Sequence, residues 1–498
     1  MWESSADQDG DGRGVFGQRY DSGGARLGTE FQVNSYTTGF QYQPDLACLD
    51  DGGFVVVWNG LGDEPTGYGI HGRRFDSAGA PATGDFDVSP FTDQPASVAG
   101  RPGAGFVVAF QQEDSGYYEV QARRFASSGA PVGSAFLVNA DTTGRVFSPR
   151  VDTDPAGNFV IVWERRLPGF HERVSLRRYD SGGAPLGTEF DVSAYTTDYQ
   201  QRPDVSVADD GRFVVAWTSN GGDYGVGARR FDSAGTPLGS SFQVNTPVAI
   251  HQYYSASVDH DAAGNFVVAW TNFEQTNYEG YAIFGRRFDS AGTPLGTEFQ
   301  ANTYTTHDQM YGRVAVAPSG DFVVAWVSRY QDGDDYGIFA RRWVGCGPLD
   351  PQRTTLTWKA AGLDRFNVTV DFASSQPLDP AATDTLDLVI SDGNGAPIWQ
   401  SGPIPPGALW ARSRPARHRF KWRDATATVV PGLTAMSLVE RPFGSGLYRL
   451  TIKGKKATLL LPPPTAGTHA VSIGFSSGPC FRGSTSSCSK RPKTERCT

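Results

Sequence analysis

No lysine precedes Lys359 in this chain of 498 residues. There is no run of 18 or more apolar residues either, which excludes a membrane-spanning helix. Cysteine is scarce: Cys48, Cys346, Cys480, Cys488 and Cys497 form no CxxC pair and have no histidine at ligand spacing. Zinc is not expected on that pattern. A Cys480–Cys488 bridge is open to an exported protein. His71, His171, His251, His260 and His307 are scattered, and neither a nucleophile elbow nor a phosphate-binding glycine loop occurs. No basic-then-apolar leader follows Met1-Trp2.

The missing lysines expose a split in charge. The chain has 44 Lys+Arg and 53 Asp+Glu, of which residues 350–498 hold 19 and 10. That leaves 25 and 43 in residues 1–349, so the first part carries −18 and the second +9. The jump marks a domain boundary near Gly345–Gln352. An acidic first part argues against a nucleic-acid partner, since phosphates would be repelled. The basic stretch Arg412–Arg423 reads as a solvated strand edge, with a polyanion site as the alternative.

What is abundant is a repeat. Phe54–Trp58 (FVVVW) returns as Phe106–Phe110, Phe159–Trp163, Phe213–Trp217, Phe266–Trp270 and Phe322–Trp326. Each copy is followed by Arg-Arg-aromatic, an Asp-Ser-x-Gly turn and a Phe-x-Val segment, as in Arg229-Arg230-Phe231. A period of this length means an array or a propeller. One unit reads as four strands: Pro203–Ala208, Phe213–Thr218, Gly225–Phe231 and Ser241–Val244. The second is apolar on both faces and therefore buried on both. Complete units fall near 44–88, 95–139, 149–192, 203–245 and 256–301, with partial ones at 2–34 and 312–343.

The fold class is therefore all-β, a propeller of about seven four-stranded blades, two of them incomplete. Six blades closed by an N-terminal strand is the alternative. The domains are expected at 1–347 (propeller), 350–478 (β-sandwich) and 479–498 (a basic, disordered tail containing cysteines). Trp2 and Gly14–Tyr20 match Trp326 and Gly337–Trp343, so the chain is expected to begin inside a repeat.

Strand parity sorts the loops. In a four-stranded antiparallel blade the one–two and three–four turns share one face of the disc, and the two–three and four–one loops share the other. The first set is nearly identical between units and is explained by turn chemistry. The second varies, as a binding face on a repeated scaffold would. Three signals lie on it. Asp7, Asp9 and Asp11, with Asp332, Asp334 and Asp335 as a second copy, alternate carboxylates with glycine, which suits calcium or a plain solvated turn. Tyr42, Tyr199, Tyr253, Tyr254 and Tyr311 precede or open the first strands, where rings stack either on a sugar or between blades. Arg165, Arg166, His171 and Glu172 concentrate charge where other units do not. One arginine of each Arg-Arg pair is expected against the neighbouring Trp or the turn Asp, as Arg230 with Asp232.

The blades resemble those of sialidase-type propellers: an apolar strand ending in Trp, then Asp289-Ser290-Ala291-Gly292, then Phe299. The chain also resembles bacterial exported repeat proteins carrying the phrases FVVVW, QDGDG and RRFD. These resemblances imply a propeller and an extracellular or cell-surface location. The leading expectation is a non-catalytic module that binds a glycan or an extracellular protein, with calcium as the candidate stabilising ion. A sialidase-like hydrolase and a structural spacer of a larger surface protein are the alternatives.

Overall fold

The computed structural model describes residues 1–343 apart from 5–7, 22–23, 62–67, 91, 93, 102, 104, 115–116, 143, 168–170, 193–198, 221–224, 247–254, 275–279 and 334, and beyond 343 the backbone of the strands only. The described residues contain strands and no helix. Two compact units divide the chain, one of Met1–Val316 with Val323–Arg342, the other holding the remainder.

Seven antiparallel sheets make up the propeller, which decides between seven blades and six. Blade 1 has Trp2–Ser4, Gly14–Tyr20 and Arg26–Gln32. Blades 2 to 6 have four strands each, in the order of the chain. Their second strands are Phe54–Leu61, Gly105–Asp114, Phe159–Leu167, Phe213–Asn220 and Phe266–Glu274. Blade 7 has Gln309–Val316, Phe322–Arg329 and Tyr336–Trp343.

The apolar runs do what their composition demands. Val55, Val56, Val57 and Trp58 are all buried, because the second strand is covered on both faces. One face carries small residues and the other large ones, and they meet between blades. Val160, Val162, Val174 and Leu176 of blade 4 pack on Phe213, Val215, Trp217 and Phe231 of blade 5. The same pairing joins blade 3 to blade 4 and blade 5 to blade 6.

The Arg-Arg pairs hold neighbours together, though not as expected. The first arginine lies over the aromatic two residues on, not over Trp: Arg73, Arg123, Arg177, Arg229 and Arg286 sit 5.6 to 5.8 Å from those ring centres. Each also donates Nη1 to a valine carbonyl of the preceding blade, as Arg229 to Val192 at 2.7 Å. The second arginine of blades 3, 4 and 5 (Arg124, Arg178 and Arg230) reaches forward to carbonyls in the next blade's turn, whereas Arg74 of blade 2 pairs with Asp51 of its own blade. Arg230 donates to Ser290 O at 2.8 Å and feels Asp289 rather than Asp232. Asp232 instead caps its own turn, accepting the amides of Ala234 and Thr236, with Gly235 at φ 83° where a left-handed residue is required.

In the second unit the strands form a five-stranded and an eight-stranded sheet. The basic stretch Arg412–Arg423 spans two antiparallel strands, Trp410–Arg414 at a sheet edge and Arg419–Arg423. Strands also occupy Cys480–Ser484, Cys488–Arg491 and Thr494–Cys497, in the stretch expected as a disordered tail. The sandwich expectation falls largely on side chains outside the described residues.

Candidate functional site

The first strands of blades 2 to 7 converge on the propeller axis. Their inward residues at one level are Asp45, Ser97, Arg150, Asp204, Ser257 and Arg313. The acids and serines are spent on the next blade's amide: Asp45 Oδ2 accepts from Val98 N at 3.0 Å, Asp204 Oδ2 from Val258 N at 3.0 Å, and Ser97 Oγ from Val151 N at 3.3 Å. Arg150 stands 4.0 Å from Asp45. Arg150, and then burial, hold the Arg313 guanidinium down to about 10. One level on, Asp152 accepts from Val207 N at 2.7 Å and Asp259 from Val316 N at 2.6 Å. Burial is the main cause that pushes both carboxyls up, Asp152 to about 8. The axis is thus a set of pins between blades. The sequence reading placed the arginines on third strands and missed this belt, which the residue two or four positions before each turn would have signalled.

The variable face is built on a second kind of pin. Asn34, Asn139, Asn245 and Asn302 follow the fourth-strand valine or alanine, and each side-chain oxygen accepts a third-strand amide at 2.7 to 2.8 Å. Each Nδ2 donates to a carbonyl one or two residues on, which shapes the four–one loop. These asparagines recur in the sequence and were legible there.

Large exposed aromatics concentrate on this face. Phe40, Tyr68, Tyr199, Tyr311, Tyr330 and Tyr336 all lie where first strands begin or two–three loops start or end. Tyr20 is the one exposed large aromatic among the described residues at the opposite end of a strand. Of the sequence candidates, Tyr199 and Tyr311 are exposed, while Tyr42 is half-buried, edge-on to Tyr68 at 6.5 Å. Tyr253 and Tyr254 lie outside the described residues.

No protein-family model matches the chain, and no curated protein matches it in sequence. Solved structures do. A protein of unknown function from Dyadobacter fermentans DSM 18053 aligns at 11% identity and a TM-score of 0.42, over 61% of this chain and 93% of that one. An α-L-arabinanase of Penicillium chrysogenum, solved with arabinobiose, aligns at 11% and 0.40, over 60% and 93%. A subtype N11 neuraminidase-like protein of A/flat-faced bat/Peru/033/2010 aligns at 10% and 0.41, over 66% and 92%. At identities this low the activities of those proteins do not transfer to this chain.

The charged cluster of blade 4 lies on strands rather than in a loop, because Phe159–Leu167 and His171–Tyr179 pair as far as Leu167 with His171. Alternation then splits it between two faces. On one, Arg165 bridges Asp141 at 2.8 Å and Asp191 at 3.0 Å, and Arg173 joins Asp191 at 2.9 Å. On the other, Arg166 Nε donates to Glu172 Oε1 at 2.6 Å, and Arg166 also lies over Phe147 at 5.1 Å. Glu164 and Glu172 are 6% and 2% exposed. Burial, and then Glu172, push the Glu164 carboxyl up to about 7. The His171 side chain lies outside the described residues.

Among the Asp-rich candidates, Asp7 and Asp334 lie outside the described residues. Asp11 Oδ2 accepts from Gly39 N at 3.2 Å, and Asp9 Oδ1 is buried with no hydrogen-bond partner. Asp335 pairs with Arg329 at 3.1 Å.

Proposed function

We propose that the chain is a non-catalytic, exported binding module that recognises a glycan through the variable face of its propeller. One observation carries this reading: among the described residues six exposed aromatic rings share that face, against one at the opposite end. Rings with their faces in water stack on the C–H face of a sugar at little conformational cost, and the loops around them supply polar partners. The near-identical turns opposite give backbone carbonyls to the arginine clamps, as Ser290 O to Arg230. Calcium at Asp9 and Asp11, with Asp7, belongs to the same proposal, supported by the unsatisfied Asp9 oxygen.

The test is an array of immobilised neutral, amino and acidic glycans probed with the labelled chain. Retention on one class, competed by free sugar, is the expected result, and a blank array contradicts the reading.

A glycoside-hydrolase reading draws on Glu164, whose carboxyl near 7 is in the range of a general acid. Its burial under Arg166 and Glu172 disfavours it. Hydrolysis of an aryl glycoside by the wild type, abolished in Glu164→Gln, would restore that reading.

A further inference from the structure

Among the described residues seven non-glycine ones have left-handed backbone, and five of them occupy one repeat position at the entry to a first strand: Gln43, Ser148, Arg202, Ser255 and Tyr311. The fold needs that kink in those blades. The other two are His307 at φ 60°, which takes the place that Gly39 holds in blade 2 at φ 76°, and Tyr330 at φ 57°. Their rings lie together in blade 7, 5.1 Å apart and edge-on. Side chains held in left-handed backbone, one of them where blade 2 uses glycine, mark a place where geometry serves something other than folding.

The surroundings say what. Tyr311 is 54% exposed, Tyr330 43% and Tyr336 52%. Arg329 lies between two of them, 4.8 Å from the Tyr330 ring centre and 5.6 Å from that of Tyr336, and is fixed by Asp335. The aromatic pair therefore already holds a cation with its counter-ion, which a cationic ligand would have to displace. Asp332 and Asp335 are exposed at the rim, and residues 1–349 hold 43 acidic against 25 basic residues, which opposes an anion. What remains compatible is a neutral molecule with one apolar face for the rings and hydroxyls for the carboxylates.

We propose that the blade 7 patch of His307, Tyr311, Tyr330 and Tyr336 around Arg329 is the main carbohydrate subsite and takes a neutral, hydroxyl-rich sugar in preference to an acidic one. The proposal rests on the glycan-binding reading above. Titration calorimetry of the whole chain with cellohexaose, maltohexaose, mannohexaose and hexagalacturonate tests it. Tyr336→Ala is the cleaner variant, because Tyr336 is exposed and its backbone is unstrained; Tyr330→Ala is the second, and Tyr199→Ala in blade 5 the control. The expected result is binding of a neutral hexaose and not of hexagalacturonate, weakened about two- to tenfold by Tyr336→Ala and Tyr330→Ala and unchanged by Tyr199→Ala. Weakening by Tyr199→Ala alone, or a preference for hexagalacturonate, overturns this inference and leaves the glycan reading standing. Absence of binding to every hexaose overturns the inference. Only a blank array as well sinks the reading beneath it.

Discussion

Asp152 Oδ2 in blade 4 accepts the backbone amide of Val207 in blade 5 at 2.7 Å. A carboxylate near the axis thus pins two first strands together, and it does so where burial disfavours its charge. The carboxyl titrates near 8 in the fold against 3.8 as its ordinary value. Between those values the folded chain holds a proton that the unfolded chain has released. Stability should therefore fall as pH rises from about 4 to about 8. Asp152→Asn keeps an acceptor and removes the ionisation, so it should flatten this slope. Urea midpoints at pH 5 and pH 8 for both chains check it; a wild type more stable at pH 8 runs against the assignment.

The Arg-Arg clamps are the second structural prediction. Arg229→Ala removes a charged donor from Val192 O and leaves that carbonyl unpaired, a loss of about 1.5–3 kcal/mol. Arg229→Lys keeps the charge without the planar stack on Phe231, so it should fall between. Denaturant unfolding ranks the three chains.

Calcium predicts a thermal signature. An ion bound by Asp9 and Asp11 in the native state alone raises the melting temperature with its concentration. Asp9→Asn should remove that rise. Equal melting temperatures in millimolar calcium and in chelator reject the site.

Much of the fold was legible because the repeat writes each blade's strands in the same residues. Phe54–Trp58 and its copies announced doubly buried second strands, and alternation placed the tyrosines and the Asp-rich loops on one face. The partners of Arg230 were not legible. The repeat shows that an arginine is needed but not that it reaches forward into the next blade, since pairing between blades leaves no spacing signal within one. The blade 4 charges misled in a related way: Glu164–Arg173 read as a loop because charge broke the pattern, yet the strands run on and the charges pair across them. The blade 7 patch was half seen, through Tyr311 and the acids. His307, Tyr330 and Tyr336 were missed because they replace other residues of the repeat, as His307 replaces Gly39, and a substitution within a variable loop does not by itself mark a site.

Ligand is expected on the variable face and not on the opposite one. Hydrogen–deuterium exchange of the whole chain, with and without the glycan retained on the array, tests it most directly. Slower exchange at the two–three loops and first-strand entries, including Asp308–Tyr311 and Tyr330–Tyr336, is the predicted result. Slower exchange confined to the Asp-Ser-x-Gly turns, such as Asp232–Gly235 and Asp289–Gly292, would contradict it.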